Sequence, residues 1–168
     1  TISLLISNIL RRRTSERALR NERNLLNNVI ENIPHYVFWK DRNRVYQGCN
    51  NNFARMTGFT AATEVLGKTD ESFPWTVDDV KLYEELDRRV LDSGEYILNV
   101  DDQRRFIDGR VMHHLTSKVP LYDDSGDIIG VLCLSLDMSE RIRMENERKE
   151  LIAELERKNS ELERFTYT

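Results

Sequence analysis

The stretch GDIIGVLCLSLDMSER, Gly126 to Arg141, decides how the rest of the chain is read. Its first part is a strand-like run. The turn DDSGD (Asp123 to Asp127) joins it as a hairpin to the preceding run, GRVMHHLTSKVPLYD. After Ser139 the character changes, because neither Gly nor Pro occurs from there to Thr168. Ser139 is placed to N-cap a helix, and Glu140 suits the positive end of its dipole. The strand therefore passes into a helix across Asp137, Met138 and Ser139 without an intervening loop. A displacement of such a strand becomes a displacement or rotation of the helix.

That helix runs through NSELERFTYT, Asn159 to Thr168, and stops without a cap, a Gly or a Pro, which reads as a helix cut through its middle. Steps of three and four residues select Met144, Arg148, Leu151, Leu155, Lys158, Leu162 and Phe165. This is the seam of a two-stranded coiled coil, with Arg148 and Lys158 as polar interruptions that lower stability or fix register. An amphipathic helix packed on its own domain is the alternative. The opening segment, residues 1–33, also lacks Gly and Pro. Its seam reads Ile2, Leu5, Ile9, Arg12, Glu16, Leu19, Arg23, Leu26, Ile30 and Ile33, so charge interrupts its middle and pairing there needs help from elsewhere. TISLLISNIL is too short to cross a bilayer, which takes about 20 residues. Followed by Arg11, Arg12 and Arg13, it resembles the cytoplasmic end of a truncated spanning helix. The plainer reading is the start of a cytosolic amphipathic helix.

Between the two helices, residues 34–138 carry all 7 glycines and all 3 prolines, and so form the folded domain. HYVFWKD and RVYQGCN read as two strands, and NNFARMTGF as a short helix stopped at Gly58. AATEVLGKTDESF reads as a further short helix and loop. TVDDVKLYEELDRRVLDSGE is a longer helix, with Thr76 as N-cap, Asp78 and Asp79 in the first turn, and Gly94 as the stop. Three strands follow. The net charge of -4 argues against nucleic acid as a partner. Cys49 and Cys133 have neither metal nor disulfide spacing, which suits a reducing compartment.

These residues resemble a PAS sensory domain over Ile33 to Arg141. The match runs through NIPHYVFWKDRNRVYQGCNNNFARMTGF, LGKTD and PLYDDSGDIIGVLCLSLDMSER, and is most specific in D-x-x-G-x-I-x-G followed by Asp137-Met138-Ser139. In the family this junction is Asp, an aliphatic residue and Thr, so Met138 and Ser139 are mild departures. The resemblance implies an α+β fold, a five-stranded antiparallel sheet with helices on one face, flanked by long N- and C-terminal coiled-coil helices. SELERFTYT further resembles the approach to the phospho-acceptor helix of a sensor histidine kinase, whose histidine would lie beyond residue 168. The implied function is a homodimeric input module of a two-component kinase, divided at 1–33, 34–138 and 139–168. It would sit on the cytoplasmic side of the inner membrane, with kinase domains in the same chain and a response regulator as downstream partners. A ligand-free dimerisation spacer, or the input domain of a nucleotide cyclase or phosphodiesterase, are the alternatives.

No phosphate loop, nucleophile elbow or HExxH motif is present, so no catalytic residue is assigned. His113 and His114 are adjacent in a strand and point to opposite faces, so they cannot easily share a metal. The flavin cysteine motif of light-sensing relatives has no counterpart in VLGKTDESF, and the long helix lacks the histidine that holds haem in oxygen sensors. Neither cofactor is expected. In resembling domains the pocket lies between the inner sheet face and the helices. Positions two and four before the junction Asp face it, which selects Ser135 and Cys133. Leu132, Leu134 and Leu136 then face outward, and three water-exposed leucines imply cover by the N-terminal helix or that of a dimer mate. On the preceding strand His114 and Thr116 are expected inward, with Asn99 and Trp39 as further candidates. Such a lining suits a small polar ligand or trapped water, and a filled core with satisfied polar groups is the alternative. Cys133 is expected to be inert and Cys49 the more reactive thiol.

Overall fold

Two-residue alternation of burial sets the sheet. In the computed structural model, which describes residues 2–166, β1 (Tyr36–Asp41) buries Phe38 and Lys40 toward the helices, and β5 (Ile128–Asp137) buries Val131, Cys133 and Ser135. Thr1, Tyr167 and Thr168 lie outside the described residues, so that part of the FTYT reading has no structural counterpart. The remaining strands are β2 (Tyr46–Cys49), β3 (Ile97–Arg105) and β4 (Val111–Tyr122). Their order is β2-β1-β5-β4-β3, antiparallel throughout, which puts β5 at the centre. Phe38 lies opposite Cys133, and Cys133 opposite Lys118, so all three point to one face.

The helices α2 (Asn51–Met56) and α3 (Val77–Ser93) cover that face, with short 3-10 turns at Ala62–Glu64 and Asp70–Ser72 between them. Asn50 caps α2 by accepting a hydrogen bond from the Phe53 N–H at 3.0 Å. Thr76 caps α3 by accepting from the Asp79 N–H at 3.3 Å. Gly94 ends α3 with φ of 69°, a left-handed conformation that costs Gly little. An aromatic train fills the space beneath. Phe53 stacks on Phe38 with ring centroids 4.3 Å apart, and Phe73 links Tyr46 to Trp75.

The flanking helices are rods. α1 (Ile2–Asn32) has 31 residues and α4 (Ser139–Thr166) has 28, so they extend about 46 Å and about 42 Å at 1.5 Å per residue. Seam residues Leu19 and Leu26 of α1, and Met144, Leu151, Leu155, Leu162 and Phe165 of α4, are all more than half exposed. Ile30 is half-buried where α1 joins the domain. There Asn50 donates to the Ile30 carbonyl, and Glu31 accepts from the Asn51 backbone N–H.

Two expectations change. The outward face, with half-buried Leu132, Leu134 and Leu136, is not covered by α1 of the same chain, because α1 is exposed along its described side chains up to Val29. Trp39 also lies on this outer face, opposite Leu132. Its indole packs against Gly48 of β2, where an added Cβ would fall 2.0 Å from the ring atom Cζ2. Strand parity explains the error: Phe38 and Lys40 take the inward positions, which leaves Trp39 outside.

Phe53 is fully buried at the centre of the aromatic train. Phe53→Ala should destabilise the fold by about 3–5 kcal/mol, read as a lower urea midpoint.

Candidate functional site

The interior between sheet and helices holds two polar groupings, and the junction to α4 forms a third. In the first, Lys40 of β1 and Lys118 of β4 point inward at positions a sheet usually fills with aliphatic side chains. Lys40 Nζ donates to Asp70 Oδ2 at 2.5 Å and to Asp87 Oδ2 at 2.7 Å. Lys118 Nζ donates to the other oxygen of Asp87, and the Tyr46 hydroxyl donates to Asp70 Oδ1 at 2.8 Å. Both lysines and both aspartates are buried. Burial opposes the charge on Asp87, but the two ammonium groups outweigh it and hold the carboxyl below its usual range. Burial likewise opposes the charge on Lys118, and Asp87 overcomes it. Two cations and two anions cancel, so the cluster ties β1, β4, α3 and the Asp70 turn together without net buried charge.

The second grouping surrounds Arg104 of β3. Its guanidinium lies 4.9 Å from the Trp75 ring centre and 5.4 Å from that of Tyr83, and Nε donates to the Tyr83 hydroxyl at 3.2 Å. Asp102 Oδ2 is 3.7 Å from the guanidinium and accepts no hydrogen bond. Burial raises the Asp102 carboxyl above its usual value, with Arg104 as a partial counterweight. Nearby, the Nδ1 of His114 and the Oγ of Ser135 are 2.9 Å apart, and Ser135 Oγ lies 3.1 Å from Thr116 Oγ1. Burial, helped by Arg104, pushes His114 down to about 3, so its imidazole is neutral. Among the described residues, Trp75 Nε1, Asp102 Oδ2 and His114 Nε2 are buried side-chain atoms without a hydrogen-bond partner. Such atoms are rare in native interiors and mark sites for water or a ligand.

The third grouping is the output junction. The Ser139 N–H donates to Asp137 Oδ1 at 2.8 Å, and the Tyr36 hydroxyl donates to Asp137 Oδ2 at 3.4 Å. The Met138 N–H donates to the His113 carbonyl at 2.7 Å, and the His113 N–H donates to Ser139 Oγ at 3.3 Å. Burial opposes the Asp137 charge, but the bonds from Ser139 prevail and hold its carboxyl low. The expected N-cap role of Ser139 is therefore replaced. Ser139 is the first helical residue, and the cap acceptor is Asp137, because the Ser139 hydroxyl is taken by β4. Hydrogen bonds link Thr116, Ser135 and His114, a ring contact at 5.5 Å links His114 to Tyr36, and Tyr36 is hydrogen-bonded to Asp137.

Of the residues selected from sequence, His114, Thr116, Cys133 and Ser135 all lie buried on the helix-facing side. Cys133 sits in the packed core, between Phe38 on β1 and Lys118 on β4. Asn99 is an exposed residue at φ of 52° in a bulge of β3, with its N–H donating to Ser117 Oγ, and Trp39 is on the far face. Neither enters the interior. Cys49 is also corrected: it is buried, and burial raises its thiol to about 12, against about 11 for Cys133. Sequence reading missed Lys40, Asp70, Asp87, Arg104, Asp102 and Lys118. Lys118 carried a usable signal, since it shares strand parity with His114 and Thr116.

A five-stranded antiparallel sheet with its helices on one face, and a strand that ends in a capped helix, define the class. The chain belongs to the PAS fold family, which matches residues 30–143. Among curated proteins, the virulence sensor protein BvgS of Bordetella bronchiseptica is 28% identical over 138 residues, 81% of this chain. The chain spans 11% of that relative's length. The solved PAS domain of Bordetella pertussis BvgS superposes with a TM-score of 0.62 at 22% identity, over 80% of this chain and 98% of that one. A Vibrio cholerae VqmA–ligand–DNA complex gives 0.60 at 26%, over 67% of this chain and 50% of that one.

His114 sets a pH dependence. The unfolded imidazole binds a proton near 6.5, while the folded one resists protonation down to about 3. Between those values only the unfolded state takes the proton, so stability falls as pH falls. Urea unfolding at about pH 7 and about pH 4.5 should show a steeper loss in the native chain than in His114→Gln, by at most about 1.4 kcal/mol per pH unit.

Proposed function

We propose that this chain is the input and signal-transmission module of a two-component sensor histidine kinase, acting as a homodimer. The observation that carries the reading is the junction at Asp137. Its two carboxylate oxygens receive hydrogen bonds from β1 and from the first residue of α4, so the central strand and the output helix move together. The relationship to BvgS, a sensor protein by name, supports a kinase context.

In this reading residues 34–138 sense and the rods on either side transmit. Two copies of α4 pair along Met144, Leu151, Leu155, Leu162 and Phe165, which the single chain leaves exposed. Pairing of α1 through Leu19, Leu26 and Ile30 adds to the dimer, and α1 of the second copy covers Leu132, Leu134 and Leu136. Arg148 and Lys158 keep the α4 coil marginal, so that two arrangements lie close in energy. The chain itself is not catalytic, and its phospho-acceptor and ATP-binding parts belong to other segments of the protein. A response regulator then receives the phosphoryl group. Among the described residues no helix is long and apolar enough to cross a membrane. Attachment to the inner membrane would run through the apolar start of α1, with the domain on the cytoplasmic side.

The likeness to VqmA, whose complex contains DNA, supports a second reading in which the same core feeds a different output. Phosphorylation separates the two. In the intact protein, the double variant Arg148→Leu, Lys158→Leu should make autophosphorylation insensitive to stimulus. A full response in that variant, or a protein without autophosphorylation, defeats the kinase reading.

A further inference from the structure

One stripe of α1 changes character along its length while keeping to a single face. Steps of four and three residues join Ile6, Leu10, Arg13, Arg17 and Arg20, which aligns them along the rod. Ile6 is 51% exposed and Leu10 57%, and the three arginines are exposed with them. None of the five belongs to the coil seam, so pairing of α1 through Leu19, Leu26 and Ile30 leaves the stripe free.

The charge on this face is unmatched. Arg13, Arg17 and Arg20 form no ion pair among the described residues. Glu16 borders the stripe, but Arg12 of the seam already holds its carboxylate at 3.0 Å. Glu22 lies on a different face, and Asn24 and Asn27 continue the stripe without charge. Two aliphatic side chains followed by three arginines call for a partner that is apolar at one depth and anionic at the next. A nucleic-acid backbone supplies the charge but has no use for Ile6 and Leu10. A bilayer containing anionic phospholipid supplies both, one layer directly on the other.

Resting on the membrane attachment proposed above, we infer that this stripe lies on an anionic phospholipid surface. Ile6 and Leu10 enter the acyl boundary, and Arg13, Arg17 and Arg20 meet the lipid headgroups. The spacing also sets the pose. A headgroup layer is about 5–8 Å deep on each side of a bilayer. In an upright helix Arg11, Arg12 and Arg13 would fill that layer from all sides, and Arg20, about 10 Å further along the axis, would lie beyond it. Arginine kept to one face as far as Arg20 fits a helix that runs obliquely along the surface. Lipid charge would thereby set the angle at which α1 enters the domain, where Ile30 and Glu31 bond to Asn50 and Asn51.

Co-sedimentation of the full chain with vesicles tests this. Vesicles of phosphatidylglycerol and phosphatidylcholine in equal parts should bind it, and pure phosphatidylcholine should bind it at least about tenfold more weakly. Arg13→Gln, Arg17→Gln and Arg20→Gln together should weaken binding to the mixed vesicles on the order of a hundredfold, and Arg20→Gln alone about fivefold. Ile6→Ser with Leu10→Ser should weaken it at least about tenfold. The same charge change on α4, Arg143→Gln with Lys149→Gln and Arg157→Gln, should leave it within about twofold. All these side chains are exposed, and circular dichroism checks that each variant keeps its fold. No binding to the mixed vesicles, equal binding to pure phosphatidylcholine, or no loss in the serine pair each overturns the inference. So does an α4 variant as weak as the α1 triple, or a random-sequence DNA duplex bound more tightly than the mixed vesicles. Unchanged binding in Arg20→Gln overturns the oblique pose. Autophosphorylation of the intact protein keeps the kinase reading separate. If it persists while the vesicles fail to bind, only the lipid surface falls, and if the vesicles bind as stated without it, only the kinase reading falls.

Discussion

One carboxylate carries the mechanical burden of this structure. Asp137 ends the central strand of the sheet, and its two oxygens receive hydrogen bonds from the Tyr36 hydroxyl and the Ser139 backbone N–H. The bond from Ser139 satisfies one of the orphan donors at the start of α4, and the one from Tyr36 ties the same group to β1. The Met138 N–H, bonded to the His113 carbonyl, adds a hold from β4. α4 is therefore clamped to strands on both sides of β5 before its first turn is complete. A rod fixed at one end by three strands cannot tilt freely relative to the sheet.

The interior that could drive such a rearrangement is unusually charged. Lys40, Lys118, Asp70 and Asp87 form a closed network in which each charge has an opposite partner. Buried pairs of this kind add little net stability over apolar packing, but removing one member leaves an uncompensated charge and is strongly destabilising. Their effect here is to fix the relative placement of β1, β4 and α3. Around Arg104 the balance is looser, with three polar atoms open.

Membership of the PAS fold family accounts for the sheet order and the strand-to-helix exit, and it leaves the output open. BvgS and VqmA both superpose on this core, and one is named a sensor protein while the other has been solved with DNA. Fold alone therefore does not assign the output chemistry.

Local sequence determined much of this protein. The freedom of residues 1–33 and 139–168 from Gly and Pro, with apolar residues at coil spacing, specified two rods, and turn residues with capping signals bounded the domain between them. Strand parity counted back from Asp137 put Cys133 and Ser135 on the inner face and the three leucines on the outer. The reading failed at Trp39 because a large aromatic suggests burial inside, whereas parity puts it on the outer face, where a glycine on another strand makes room for it. Only the tertiary structure decided that Lys40 and Lys118 point inward, since a lysine on a strand reads as solvent-facing until Asp70 and Asp87, 30 or more residues away, are brought to it. It likewise decided that Asp137 and not Ser139 caps α4, because that depends on which strand reaches the Ser139 hydroxyl first. Periodicity along a chain records which face a residue takes, whereas pairing between distant charges is set by where the fold brings the two segments together.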